Sequence, residues 1–123
     1  IGLFCSTPMV AVSRNVSRKH VMKMLLTGEP IKANYAKEIG LINDHYESSN
    51  LENKVLELAS KIASKSTKII KLGKKAFYNQ LEMPLEKAYT FTSEVMTKNM
   101  MTLDAKEGIS AFIEKRIPNW KNK

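Results

Sequence analysis

Near its C-terminal end the chain reads LDAKEGISAFIEKRIPNW (residues 103–120), which sets an aromatic ring, Phe112, and an ammonium, Lys115, one helical turn apart on a basic segment. Residues three apart share a helix face, and a flexible ammonium suits a phosphate as an aromatic ring suits a flat apolar partner. Such a segment can be the last helix of a core, an anion site, or one half of a site completed elsewhere. Ile109, Phe112 and Ile113 also make an apolar stripe, so a packing role for Phe112 stands beside a binding one.

Other residues able to do chemistry are scattered. His20 lies in a lysine-rich helical stretch and His45 in a polar loop between Asp44 and Tyr46, neither with a nucleophile set beside it by local sequence. Cys5, the single cysteine, has small and apolar neighbours in LFCSTP, which reads as a buried, inert thiol. No internal disulfide is open to it, and no Cys/His group has zinc-ligand spacing. The glutamates, among them Glu29, Glu38, Glu52, Glu82, Glu86, Glu107 and Glu114, fall at caps or on polar helix faces, where solvated charge is the expectation. KLGKK carries one glycine inside a helix and is not a phosphate loop.

The elements that must position these groups are helical. With 123 residues and 43% hydrophobic composition, the chain has the size and apolar content of an ordinary domain. Ser17 and Gly28 bracket a first helix, and ANYAKEIG forms a two-turn helix closed by Gly40. LIND, 41–44, then runs extended as one short strand. Ser49 and Glu52 have capping-box spacing ahead of a stripe made by Leu51, Val55, Leu58, Ala59 and Ile62. A further helix runs from Thr67 through Gly73 to Glu82, and Pro84 opens another that carries Tyr89, Met96 and Met100. Asp104 and Glu107 form a second capping box for a helix reaching Arg116, with Pro118 beyond it.

The net charge of +8 favours an anionic partner. Lysines are spread over every helix, however, so a solvated surface fits better than a nucleic-acid arm, and no interleaved aromatics support one. The apolar runs GLF and MLL are far too short to span a bilayer, and the expectation is a soluble protein of a reducing compartment with no membrane and no nucleic acid among its partners. The opening IGLF, without an initiator methionine, reads as the middle of a buried element and hence as a fragment or a processed chain.

The order of residues in LTGEPIKANYAKEIGLIN resembles the crotonase (enoyl-CoA hydratase/isomerase) superfamily, where a TG…I.A..A...GL(V/I) pattern follows the catalytic half. EGISAFIEKRIPNW independently resembles that family's C-terminal helix, EG..AF.EKR.P.(F/W). The start, GLFCSTPMVAVSRNV, is similar to the branch of enoyl-CoA hydratase domain-containing proteins, although Pro8 is followed by MVAVSRN where many members are glycine-rich.

The resemblance implies a mainly α chain: the C-terminal helical region of the crotonase fold without its N-terminal ββα core. Residues 1–48 would be the end of that core with two to three short helices, and 49–123 a helical region for trimerisation and for covering coenzyme A. It further implies a homo-oligomer, trimer or hexamer, acting on acyl-CoA with no covalently bound cofactor, in the cytoplasm or, in a eukaryote, the mitochondrion. The oxyanion-hole amides and usual catalytic glutamates of the family precede the position of Ile1, so no catalytic residue is assigned. Phe112 and Lys115 match the positions that pack near the adenine and pair with a phosphate, and Met96 stands at a nearby family aromatic position. The rival expectation is a non-catalytic helical module for oligomerisation or protein interaction.

Overall fold

The computed structural model describes residues 2–122, which form seven α-helices and no strand. Contacts cluster into two units, one up to Val55 and one from Leu56 onward. In the first unit, α1 (Pro8–Ser13) starts at the ring of Pro8, whose fixed φ and missing N–H suit a first helical turn. α2 (Arg18–Thr27) follows Ser17, which is extended, and stops at Gly28 with φ +63°. Val16 and Val21 are the buried apolar side chains at this corner.

Helix α3 (Ala33–Glu38) ends where Gly40 turns left-handed at φ +78°. There the Gly40 amide donates to the Lys37 carbonyl and the Leu41 amide to that of Ala36, a Schellman closure that needs a residue tolerant of positive φ. The strand expected over 41–44 does not form. Those residues bend out of the helix end into Asp44, whose carboxylate accepts from Lys37 Nζ at 2.6 Å and Tyr46 Oη at 3.0 Å. A two-residue apolar run, Leu41 and Ile42, with no neighbouring strand has no ladder to complete.

Helix α4 (Ser48–Ala63) crosses the division at Val55. It is already helical at Ser48, so Ser49 lies inside its first turn and does not cap it. The Leu51, Val55, Leu58 and Ile62 stripe keeps its helical spacing but is exposed to solvent along its length. The apolar N-terminal run is likewise uncovered at Leu3 and Phe4, against the expectation of a buried element; Ile1 lies outside the described residues.

In the second unit, α5 (Thr67–Gln80) packs on α6 (Leu85–Met100), and α6 on α7 (Leu103–Ile113). Ser66 caps α5, its hydroxyl accepting from the Ile69 amide at 3.2 Å. Pro84 sits one position before the helix that it was expected to open from within. The buried apolar residues of these helices are all alanines, Ala76, Ala88 and Ala111. Larger side chains, including Phe77, Leu81, Tyr89, Met96 and Met100, remain exposed, an apolar surface far beyond the single scattered residues of an ordinary monomer.

Candidate functional site: the C-terminal helix and its return strap

Helix α7 begins at Thr102, whose hydroxyl accepts from the Ala105 amide at 3.1 Å. The capping box expected at Asp104 and Glu107 is therefore displaced: Thr102 is the cap, and both acids are free to hold something else. After Ile113 the chain reverses. The Arg116 amide donates to the Ala111 carbonyl at 3.0 Å and the Lys115 amide to that of Phe112 at 3.3 Å, a Schellman motif in which Lys115 occupies the left-handed position at φ +54°. The helix thus stops two residues before Lys115, shorter than the expected run to Arg116. A lysine at a place usually given to glycine accepts roughly 1 kcal/mol of backbone strain.

Residues 116–122 return along α7 as a strap. Glu107 receives both guanidinium nitrogens of Arg116, Nη1 at 2.6 Å and Nη2 at 3.0 Å, and the Asn119 amide at 2.7 Å. The paired, planar donors of Arg116 match the two carboxylate oxygens. These bonds lower the Glu107 carboxyl to about 2, and the guanidinium is stabilised in its charged form by the same contact together with Glu114. Asp104, 1% exposed, sits at the far end of the strap. It accepts from Ser66 Oγ, from the Lys121 amide at 2.6 Å and from the Asn122 amide at 2.9 Å. Burial alone would raise this carboxyl; the donors outweigh it and hold it below its ordinary value.

Two further bonds tie the strap to the start of α5: Trp120 Nε1 donates to the Ser64 carbonyl at 2.7 Å, and Asn122 Oδ1 accepts from the Thr67 amide at 2.9 Å. The indole of Trp120 lies against Gly108, where an added Cβ would meet two ring carbons at 3.4 Å, a van der Waals contact. The spacing EG…A…R…W thus has a physical content that reading the acids as solvated charge missed. Glu107 and Arg116 clamp the turn, Ala111 is buried beneath it, and Trp120, seated against Gly108, pins the end.

The two sequence-predicted site residues flank the turn. The Phe112 ring is 85% exposed, with Ile113 at 72% and Ile117 at 89%, so the packing stripe of Ile109, Phe112 and Ile113 is not a core within this chain. Lys115 is exposed beyond the helix end. Phe112 also borders a groove of about 520 Å³ between α5, α6 and α7, lined by Ile69, Ile70, Met100, Ile109 and Trp120. Met96, at the position where the resemblance expects an aromatic, is exposed on α6.

Elsewhere, His20 Nδ1 and Tyr35 Oη are 2.8 Å apart and their rings meet edge-on, joining α2 to α3. Cys5 is exposed, not buried as its neighbours implied, because the N-terminal run is uncovered. Among the described residues no group of three or more His, Cys, Asp or Glu side chains could hold a metal ion. Nor is any helix of those residues long and apolar enough to cross a membrane.

The all-helical arrangement is that of the helical part of crotonase-fold enoyl-CoA hydratases. The family profile described as enoyl-CoA hydratase/isomerase matches residues 1–123, and the chain belongs to that family. It is 48% identical over 120 residues to the mitochondrial enoyl-CoA hydratase domain-containing protein 3 of Rattus norvegicus, an alignment covering 98% of this chain and 40% of that protein. Among solved structures it superposes on an enoyl-CoA hydratase of Mycobacterium smegmatis with a TM-score of 0.93 and 46% identity, covering 97% of this chain and 46% of that one. The human enoyl coenzyme A hydratase domain-containing protein 3 gives the same score and identity, with 97% and 47% covered. The chain spans about two-fifths of the length of the curated relatives it matches.

Proposed function

We propose that this chain supplies the oligomer-forming and coenzyme A-covering part of an enoyl-CoA hydratase/isomerase-type protein, and that Phe112 and Lys115 are its ligand contacts. The observation that carries the reading is the turn after α7: an exposed ring in its last turn and, three residues on, an exposed lysine whose amide donates to the Phe112 carbonyl, the lysine in a left-handed conformation that a glycine would adopt without strain. Phe112 offers a flat face for the adenine ring, and Lys115 an ammonium for a phosphate. The exposed apolar stripe of α4 and the groove beside α7 supply surface for neighbouring protein in an assembly.

In this reading the strongly hydrogen-bonded carboxylates serve the fold and not acid/base chemistry. Asp44 and Glu107 are both drawn down to about 2, and Asp104 is also lowered, so each is a poor proton acceptor at neutral pH and each is engaged by structural donors. The test is Lys115→Ala in the assembled protein, with coenzyme A and dephospho-coenzyme A compared. An ammonium paired with the 3′-phosphate contributes roughly 1–2 kcal/mol, so coenzyme A should weaken by that amount and dephospho-coenzyme A hardly at all. Equal loss for both, or none for either, refutes the assignment.

The exposed α4 stripe also fits a non-catalytic oligomerisation module. Concentration-dependent association together with no binding of coenzyme A would favour that second reading.

A further inference from the structure

We infer that Glu107 is a positioning residue for ligand binding, which it serves by clamping Arg116 and so holding Lys115 in its left-handed conformation. The inference rests on the proposed phosphate role of Lys115. Lys115 stands between the last turn of α7 and Arg116, and a lysine has no intrinsic preference for φ +54°. Something must hold the turn. The Schellman bonds close it from the helix side, and the Glu107 carboxylate closes it from the strap side, through two bonds to the guanidinium of Arg116 and one from the Asn119 amide.

Both ends of the seven-residue return are thereby fixed: Glu107 at its start and Asp104 at its finish, three residues apart on one face of α7. With Arg116 released, Lys115 can relax toward ordinary backbone geometry, which moves the direction of its side chain. Glu114 receives Nε of the same guanidinium at 2.5 Å and is half-exposed, so it supports the clamp without anchoring it to the helix interior. Glu107 is the partner rooted one and a half turns back, where Trp120 and Gly108 also meet.

The experiment measures affinity for coenzyme A and for dephospho-coenzyme A in the assembled protein, for Glu107→Gln, for the milder Arg116→Lys, and for each in a Lys115→Ala background. Glu107→Gln keeps the shape of the side chain but loses the charge that holds the fork. The expected result is a preference for coenzyme A over dephospho-coenzyme A reduced roughly 5- to 30-fold by Glu107→Gln, in part by Arg116→Lys, and by neither once Lys115 is alanine. Should Glu107→Gln fail to fold, Arg116→Lys alone decides, by the same ratio.

A loss shared equally by the two ligands, or one that persists unchanged in the Lys115→Ala background, would mean that the clamp only stabilises the fold, and overturns the inference. If Lys115→Ala itself leaves the ratio untouched, the phosphate role of Lys115 fails and the inference falls with it. If Lys115→Ala lowers the ratio and the clamp variants do not, only the positioning role of Glu107 is lost.

Discussion

A lysine at φ +54° and a phenylalanine 85% exposed are the two side chains on which the proposed site depends, and their surroundings make opposite demands on a mutant. Lys115→Gly removes a Cβ from the left-handed region, so the chain should gain about 1 kcal/mol in denaturant unfolding even as the ammonium is lost. A destabilised Lys115→Gly would show that the side chain makes packing contacts that outweigh the strain. Phe112→Ala deletes a ring with almost no cover in the isolated chain and should change its stability by less than about 0.5 kcal/mol. A loss of several kcal/mol there would show that the ring is buried in solution by a second copy.

The family resemblance singles out these two residues; the expected helical spacing between them does not form, since α7 ends at Ile113 and Lys115 lies in the turn beyond it. The local sequence did not announce the acids that hold the turn. Glu107 looked like any polar-face glutamate because its partners, Arg116 and Asn119, are reached only after the chain reverses. Asp104 looked like a cap because three-residue spacing to Glu107 is the capping-box signature, whereas its true donors include Ser66, thirty-eight residues away.

At the scale of the elements, α7 and its strap behave as one unit joined to the start of α5. The Glu107 carboxyl is depressed from 4.5 to about 2 by Arg116 and the Asn119 amide. Since the folded value lies below the unfolded one, the ion pair contributes stability at neutral pH, begins to lose it as pH falls below the unfolded value, and has lost it once pH passes through the folded value. Acid titration followed by tryptophan fluorescence reports on this directly, because Trp120, the only tryptophan, sits on the strap. Glu107→Gln should flatten the fluorescence change between about pH 4.5 and 2. An unchanged profile would place the acid sensitivity elsewhere.

Trp120→Phe keeps most of the ring and removes the bond to the Ser64 carbonyl, for an expected cost of about 1 kcal/mol. The positions of α2 to α7 were legible, since the apolar periods and the stops at Gly28 and Gly40 match what forms, whereas α1 was not expected over Pro8–Ser13. The boundaries that shifted are those set by side-chain bonds: Thr102 in place of Asp104, and a helix end at Ile113 imposed by the Schellman turn. The extended reading of 41–44 failed because strand pattern alone supplies no partner strand.

For the molecule as a whole, the small buried set, chiefly alanines and two valines, contrasts with long exposed stripes on α4, α6 and α7. Composition could show that enough apolar side chains exist for a core but not that they face outward here. That imbalance predicts self-association: sedimentation at tens of micromolar, on the order of usual working concentrations, should give a concentration-dependent mass. A monodisperse monomer that binds no hydrophobic dye would contradict it. Crotonyl-CoA turnover by the purified 123-residue chain should not exceed a buffer blank, since Asp44, Asp104 and Glu107 are held by structural donors and neither histidine has a nucleophile set beside it by local sequence.

The central claim is that coenzyme A is met at the turn after α7, and hydrogen–deuterium exchange on the assembled protein with and without coenzyme A tests it most directly. The account predicts slower exchange over residues 110–117, where the Lys115 and Arg116 amides close the turn, and little change over α2 and α3. Saturating coenzyme A that leaves 110–117 untouched while protecting some other segment would contradict it.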